Sequence, residues 1–299
     1  MTAVVSALPV RLRSRLVLVL ASLAGLAAFG WPLVISPGAG SDGRAADAPL
    51  IFLLTLPALV VVVLAEVSSG GIDSKALALL GVLSAVNAAL RPLGAGTAGI
   101  ETVFFLLVLS ARVFGPGFGF VLGSTSLFAS ALLTGGAGPW MPYQMFGCAW
   151  VGMFAGLLPP VRGKREVALL AGYGAVAGYF YGFLLNLSFW PFSLDPSSSI
   201  AYRPGLGFTE QWHRYLLFDA TTSLGWDTGR ALTNIALIAL AGPAALSAFR
   251  RAARRANFRP PVAFTVPVPS GRTGNQGGEM PGAVPAPNDQ PSSVPGAGL

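Results

Sequence analysis

The stretch GGAGPWMPYQMFGCAWVGMFAGLL, residues 135–158, decides how this chain folds. Aromatic residues and a glutamine, Trp140, Tyr143 and Gln144, lie in its first half, and small residues, Gly147, Gly152, Ala155 and Gly156, follow along its body. Trp and Tyr favour the membrane–water interface, whereas small residues let a second membrane helix approach closely. The stretch therefore predicts a membrane-spanning helix with a polar mouth and a packing face.

The composition of the whole chain agrees with a membrane location. Of the 299 residues, 53% are hydrophobic and only 10% are charged, and the mean hydropathy is +0.65. Soluble proteins carry about 25% charged residues. The net charge of +7 could suit nucleic acid, but most Lys and Arg residues lie in short runs beside apolar segments. We therefore expect the chain to contact the lipid bilayer and not to bind nucleic acid.

Eight apolar runs predict an all-α polytopic membrane protein with about eight transmembrane helices. They cover residues 16–35, 48–65, 73–92, 98–109, 118–133, 135–158, 167–189 and 215–249. The first run is as long as a bilayer requires and no Ala-x-Ala cleavage site follows it, so we interpret it as a spanning helix and not as a signal peptide. The last run is too long for one span, and its first turns are expected to form a polar mouth.

The pattern divides the chain into three parts. Residues 1–72 hold two N-terminal transmembrane helices, residues 73–255 a six-helix core, and residues 256–299 a Pro/Gly-rich tail that we expect to be disordered and cytoplasmic. Fourteen of the nineteen Lys and Arg residues fall on one side of the eight-helix arrangement. Because cytoplasmic loops retain basic residues, we expect a multi-pass protein of the cell membrane with both termini cytoplasmic and the long connection 191–214 outside.

The sequence offers no enzyme motif. One cysteine, Cys148, and one histidine, His213, cannot supply an internal disulfide or a Cys/His metal cluster. Enzymes that hold Mg²⁺ against a diphosphate need clustered carboxylates, but Asp219 and Asp227 are eight residues apart. A Walker A loop is also missing. We expect no catalytic residue, no metal and no cofactor, so that any pumping would need a partner.

Polar residues near the membrane gather on the predicted outer half. They are Arg91, Glu101, Trp140, Tyr143, Gln144, Asn186, Trp190, Asp219, Trp226, Asp227 and Arg230. Asp227 and Arg230 lie three apart, hence on one helix face, where they can neutralise each other; an unpaired charge costs about 2.5–3.5 kcal/mol on insertion scales. Asp227 and Arg230 could form a structural ion pair or a pair that contacts a ligand, and the sequence leaves both interpretations open. For Arg91 and Asp219, a simple position at the membrane interface is also open.

Three blocks of the sequence resemble a known family. DSKALALLGVLSAVNAALRPL (73–93), the segment 96–159 with its GPW-x-P-x-Q-M signature at 138–145, and TTSLGWDTGRALTNIALIALAGPAAL (221–246) with D-x-x-R at 227–230 are similar to the substrate-binding S component of energy-coupling factor (ECF) transporters. The resemblance implies a six-helix core with an outward-facing vitamin site. It also implies a transmembrane T subunit and two cytoplasmic ATPases as partners, and toppling of the S component to release substrate inward.

The resemblance is strongest to the branch assigned to cobalamin or its corrinoid precursors. Aromatic faces for a planar ring are expected from Trp140, Tyr143, Trp190 and Trp226. Groups that read amides or phosphate are expected from Gln144, Asn186, Asp227 and Arg230. The connection 191–214, with Phe192, Tyr202, Phe208 and Trp212, is long enough to close over a ligand. An interfacial aromatic belt is the alternative interpretation of these side chains.

The first core helix carries the expected docking face. Gly81, Ala85 and Ala89 recur every four residues, and Gly81 and Ala85 loosely match the Ala-x-x-x-Ala docking motif of the family. Packing inside the bundle is the alternative for this face. Alternative substrates are riboflavin, thiamin or a queuosine precursor, and alternatives from other classes are a membrane scaffold without transport and a lipid-modifying enzyme.

Overall fold

The computed structural model describes residues 12–34, 74–94, 98–138 and 140–255, and within these ranges the chain is helical. The helices are α1 (Leu12–Val34), α2 (Ser74–Leu90), α3 (Val103–Phe114), α4 (Pro116–Thr134), α5 (Met141–Leu157), α6 (Lys164–Ser193), α7 (Phe208–Thr222) and α8 (Leu224–Arg255). A 3-10 turn, Arg91–Leu93, follows α2 directly.

Five of the described helices, α1, α2, α4, α6 and α8, are long and apolar enough to cross a membrane. The α2 span has 20 residues because it includes the 3-10 turn, whereas α5 has 17 residues and α3, with 12, is shorter than a bilayer core requires. The prediction of an all-α polytopic membrane protein is confirmed. The expected second helix, 48–65, and the expected disordered tail, 256–299, lie outside the described residues.

The short helix α3 forms the centre of the bundle. Eleven of its twelve residues are buried. It packs against α4, α5 and α8, and more lightly against α2 and α6. A helix that is apolar on every side suits such a position because every face meets a neighbouring helix. The longer helices surround it.

The helices α4 and α5 are in backbone contact. A Cβ on Gly119 would overlap the carbonyl group of Gly152, and a Cβ on Gly152 would overlap that of Gly119. A Cβ on Gly123 would overlap the carbonyl group of Cys148 in the same way. The small residues that the sequence placed along this stretch therefore do pack against a neighbouring helix.

Hydrogen bonds between side chains hold α2 on α4. Ser84 and Thr125 share one at 2.7 Å between their hydroxyl oxygens, and Asn87 Nδ2 donates to Ser126 Oγ at 3.1 Å. Hydrogen bonds of this kind commonly stabilise the association of membrane helices, because the surrounding lipid provides no hydrophobic driving force for it. They fix which face of α2 looks into the bundle.

The N-terminal helix α1 packs on α5, α6 and α7. Trp150 Nε1 donates to Ser22 Oγ at 3.0 Å, and a Cβ on Gly25 would meet the Trp150 ring at 2.8 Å. Near the other end of α1, Phe29 lies edge-on to Tyr143 with ring centroids 5.1 Å apart. The helix is therefore an integral part of the bundle.

One charged cluster ties three helices together at the end of the bundle that holds Ser74 and Lys164. Glu166 of α6 accepts hydrogen bonds from Arg112 of α3 and Arg250 of α8. Both Glu166 and Arg112 are buried. This end also carries the basic residues Arg162, Lys164, Arg165, Arg251, Arg254 and Arg255.

Several helix boundaries differ from the sequence prediction; α5, for example, begins at Met141 and not at residue 135. The fourth run was expected to be helical from residue 98, but α3 starts at Val103 because Ala98 and Gly99 have positive φ angles of 44° and 77°. The eighth run is interrupted at Ser223, and residues 208–214, expected in a loop, belong to the separate helix α7. The buried residues of α7 are Gln211, Tyr215 and Phe218, which lie on one face at helical spacing. This pattern was not recognised in the sequence because polar residues interrupt it.

Candidate functional site

The predicted site residues converge on one end of the bundle. The 3-10 turn after α2, the first turns of α3, α5 and α8, and the last part of α6 all lie at this end, opposite the Arg112–Glu166–Arg250 cluster. Several of the side chains gathered here are charged, whereas buried polar residues between the two ends, such as Ser84 and Ser124, are neutral. Charged groups inside membrane proteins usually mark ligand or ion sites.

Asp227 and Arg230 form a buried ion pair on α8. Asp227 is 2% exposed, accepts a hydrogen bond from Ser223 Oγ at 2.7 Å and is bonded by Arg230. The α6 backbone leaves room for it, since a Cβ on Gly182 would overlap the Asp227 carboxylate. Both carboxylate oxygens of Asp227 are therefore occupied by groups of its own helix and its N-terminal junction.

Arg230 is held in place by that pair but keeps donor capacity. Its Nη1 also donates to the carbonyl oxygen of Gly178 at 3.2 Å, and its guanidinium lies 5.3 Å from the centroid of the Tyr181 ring. Its Nε is buried and has no hydrogen-bond partner among the described residues. Asp227 thus orients Arg230, and the guanidinium retains at least one unused donor.

Arg91 and Gln144 are in direct contact. Arg91 Nη2 donates to Gln144 Oε1 at 3.2 Å, and Arg91 Nη1 donates to Ser130 Oγ at 3.4 Å. Both partners are neutral, so the positive charge of Arg91 is not compensated by either of them. Gln144 was predicted to contact the ligand, whereas Arg91 was not. The hydrogen bond between them brings Arg91 to the candidate site.

Glu101 lies between the ends of α2 and α8. Thr102 Oγ1 donates to the carbonyl oxygen of Leu90 at 2.7 Å, and this bond joins the residues that precede Arg91 and follow Glu101 in the chain. The two cationic groups that act electrostatically on the Glu101 carboxylate are Arg230 and Arg91. Glu101 was noted among the outer polar residues, and the influence of two arginines on its carboxylate could not be found from sequence spacing alone.

Asn186 is engaged with α7. Its Nδ2 donates to Asp219 Oδ1 at 2.8 Å and more weakly to Thr222 Oγ1 at 3.4 Å. Burial raises the pKa of Asp219 above its ordinary value, whereas the hydrogen bond from Asn186 lowers it and the charge of Asp227 raises it further. Asn186 and Asp219 therefore join α6 to α7 beside the Asp227–Arg230 pair.

The four aromatic residues expected at the site separate into two groups. Trp140 and Trp226 are 51% and 47% exposed and can offer their faces to a ligand. Tyr143 is buried against Phe29 of α1. Trp190 is 1% exposed and its Nε1 donates to the carbonyl oxygen of Ile200 at 2.8 Å.

The connection between α6 and α7 is anchored over an aromatic cluster. This cluster consists of Trp190, Tyr202, Tyr215, Phe218 and Leu187. Arg214 Nη1 donates to the carbonyl oxygen of Ser199 at 2.8 Å, and Gln211 Nε2 donates to that of Arg203 at 2.6 Å. Of the aromatic residues expected to cover a ligand, Phe192 and Phe208 are exposed and Tyr202 is buried. The segment is fixed to α7 by these bonds.

The expected docking residues lie on an open face. Gly81, Ala85 and Ala89 are all exposed, and a Cβ on Gly81 would meet nothing within 4 Å. Val82 and Val86 on the same side of α2 are also exposed. The alternative interpretation was that these three residues pack within the bundle. Their exposure among the described residues does not agree with it.

Residues 75–202 match the family model described as ECF transporter, substrate-specific component. Over these 128 of the 299 residues, the chain is similar to the substrate-specific component of ECF transporters, a family of transport proteins and not of enzymes. The matched residues hold nearly all of α2, all of α3 to α6 and the start of the connection to α7. No curated protein and no solved structure matches the chain significantly.

Proposed function

We propose that this protein captures a vitamin on the outer side of the membrane and delivers it inward with a T subunit and two cytoplasmic ATPases. The observation that carries this proposal is the convergence of Arg91, Glu101, Gln144 and Arg230 at one end of an apolar bundle. Ligand sites usually combine apolar walls with a few convergent polar groups. The exposed Trp140 and Trp226 supply flat apolar faces at the same end.

Cobalamin or a corrinoid precursor is the first candidate substrate. Its support is the resemblance of the three sequence blocks to the cobalamin branch, together with a site that combines aromatic faces with amide-reading groups. Within this proposal Trp140, Tyr143, Gln144, Trp226 and Arg230 contact or shape the ligand pocket. Asp227, Asn186 and Trp190 act behind them, because their polar atoms are already bonded to protein groups.

The exposed face of α2 is the proposed docking surface for the T subunit. Ser84 and Asn87 turn toward α4, which leaves Gly81, Ala85 and Ala89 on the outside. Helices that meet through small residues can approach to backbone distance. The face is thus suited to a helix of a membrane partner.

The distribution of charge supports an orientation with the site outside. The end of the bundle opposite the site holds Lys75, Arg112 and the basic residues from Arg250 to Arg255. Because basic residues are retained on the cytoplasmic side, we place that end, and both termini, in the cytoplasm.

Binding by the purified protein tests the proposal. Calorimetry with cyanocobalamin should give one ligand per protein, and Gln144→Ala and Trp226→Ala should each weaken binding about tenfold or more. Leu240→Ala, on an exposed part of α8, serves as the control and should bind normally. Tight binding of riboflavin, thiamin or a queuosine precursor instead would replace the substrate and keep the S-component function. Binding of no vitamin, with no association with a T subunit and ATPases, would contradict the whole proposal.

A further inference from the structure

Glu101 is the acidic residue that stands apart from the others in the described ranges. Among these residues, Glu166, Glu210 and Asp227 form ion pairs, Asp219 is hydrogen-bonded by Asn186, and Asp195 accepts a hydrogen bond from the backbone of Ser197. Glu101 has neither an ion pair within 4 Å nor a hydrogen bond to any described residue. A half-buried carboxylate in this condition has lost hydration without gaining a partner.

The backbone around Glu101 is fixed by close contacts. A Cβ on Gly229 of α8 would overlap the carbonyl oxygen of Ala98, and a Cβ on Gly99 would overlap that of Trp226. On the other side, a Cβ on Gly94 would overlap the carbonyl oxygen of Ile100. The segment 98–102 is therefore clamped between the end of α2 and the start of α8.

Arg91 and Arg230 are the two cationic groups that act electrostatically on this carboxylate, and neither forms an ion pair with it within 4 Å. Arg91 has neutral partners only, and Arg230 has a buried Nε without a partner among the described residues. Asp227 balances Arg230, so Glu101 and Arg91 are the remaining opposite charges and the group as a whole is neutral. The Glu101 carboxylate and the Arg91 guanidinium thus supply an acceptor and a donor at the same end of the bundle, and together they carry no net charge.

We propose that Glu101 and Arg91 together bind an uncharged amide or cyclic imide edge of the substrate, with the ligand N–H donating to Glu101 and its carbonyl oxygen accepting from Arg91. This proposal rests on the proposed function of the same site. A carboxylate ligand would meet repulsion from Glu101, and a simple cation would meet repulsion from Arg91. An amide or imide edge satisfies both residues, and buried polar groups left unpaired are costly.

The first test compares ligands and variants. Cyanocobalamin and its monocarboxylic acid derivatives, in which one side-chain amide is hydrolysed, are titrated against the wild type and Glu101→Gln; riboflavin, which carries a cyclic imide, is the second probe. The wild type should bind at least one acid isomer about tenfold more weakly than the amide, and this difference should shrink in Glu101→Gln. Glu101→Ala should weaken binding of the amide or imide probe about tenfold. Glu210→Ala, an exposed acidic residue of α7, should bind like the wild type.

Equal binding of the probe by the wild type and Glu101→Ala overturns the assignment of Glu101 and leaves the proposed function standing. If the wild type binds neither probe, the proposed substrates fail, and thermal unfolding of the ligand-free protein then decides the role of Glu101. A carboxylate kept for a ligand predicts that Glu101→Gln melts at or above the wild-type temperature. A fall of more than about 3 °C shows that Glu101 has a structural partner and overturns the proposal.

Discussion

Glu166 accepts two hydrogen bonds from Arg250, a residue 84 positions further along the chain, at 2.6 Å and 2.7 Å. Arg112 Nε donates to the same carboxylate at 2.9 Å, and the two Nη atoms of Arg112 donate to the carbonyl oxygens of Leu158 and Val161. One carboxylate therefore joins α3, α6 and α8 at the end of the bundle opposite the proposed site. Its loss would leave two cations facing each other.

Glu166→Gln is expected to destabilise the protein by about 3–5 kcal/mol, because breaking a buried ion pair leaves uncompensated charge. The measurement is the free energy of unfolding in detergent, followed by a spectroscopic probe. Glu210→Gln removes the ion pair between Glu210 and Arg214. Because the Glu210 side chain is more than half exposed, this loss should cost no more than about 1 kcal/mol. Equal effects of the two substitutions would mean that the buried cluster contributes no more than a surface pair.

Gly182→Ala should disturb the Asp227–Arg230 pair, because the new Cβ would overlap the Asp227 carboxylate. Overpacking of this kind costs about 1–3 kcal/mol, and we expect weaker ligand binding as Arg230 moves. Gly172→Ala is the matched control on the same helix, since a Cβ there meets nothing within 4 Å. Both variants are compared by thermal unfolding and by ligand titration. Normal binding by Gly182→Ala would show that the position of Arg230 is unimportant.

Gly81→Leu combined with Ala85→Leu should abolish co-purification with the T subunit and ATPases while leaving the melting temperature unchanged. The reason is that both residues are exposed, so the larger side chains block only an external partner. Gly172→Leu places the same bulk on an exposed position of α6 and should assemble normally. Undiminished complex recovery by the double variant would exclude this face as the docking surface.

Asp219→Asn should stabilise the protein increasingly as the pH rises from about 4 to 7. Burial raises the pKa of Asp219 in the folded state, so its ionisation is less favourable there than in the unfolded chain. Below the unfolded pKa both forms are neutral and the variant should match the wild type. Asparagine keeps an oxygen that can accept from Asn186, which isolates the effect of charge. A pH-independent difference would contradict the role of ionisation.

The orientation of the chain is tested by labelling single cysteines in intact cells. Cys148 is the only cysteine and is buried, so a native background reaction with polar reagents should be small. Ser197→Cys, at an exposed position in the connection before α7, should react from outside, whereas Ser270→Cys should not. The reverse pattern would invert the proposed topology.

Much of the helical bundle could be predicted, because long apolar runs indicate membrane helices and small residues indicate where two helices pack closely. The runs correspond to α1, α2 and α4 to α6 with shifted ends, and Gly152 meets another helix as expected. The helix α7 was not predicted as a separate helix, because its second half was assigned to the eighth run, its first half to a loop, and its partner is an aromatic cluster assembled from distant segments. Local periodicity in a polar segment gives too weak a signal for such a helix.

The candidate site was predicted in part. Sequence spacing brought Asp227 and Arg230 together, and the interface preference of tryptophan located Trp140 and Trp226. The burial of Trp190 and the juxtaposition of Arg91, Glu101 and Gln144 depend on contacts between helices that are far apart in sequence. Such contacts follow from the fold and cannot be read from the spacing of residues along the chain.

The backbone contact between α4 and α5 limits how this protein can move. Because Gly119 and Gly152 leave no side chain between the two helices, neither helix can rotate or slide without driving neighbouring side chains into the opposite backbone. The two helices should therefore behave as one rigid body in the transport cycle proposed for this protein. Because the connection around Glu101 and the segment before α7 are themselves held by close contacts and hydrogen bonds, movement that admits and releases a ligand is expected between this rigid pair and the other helices.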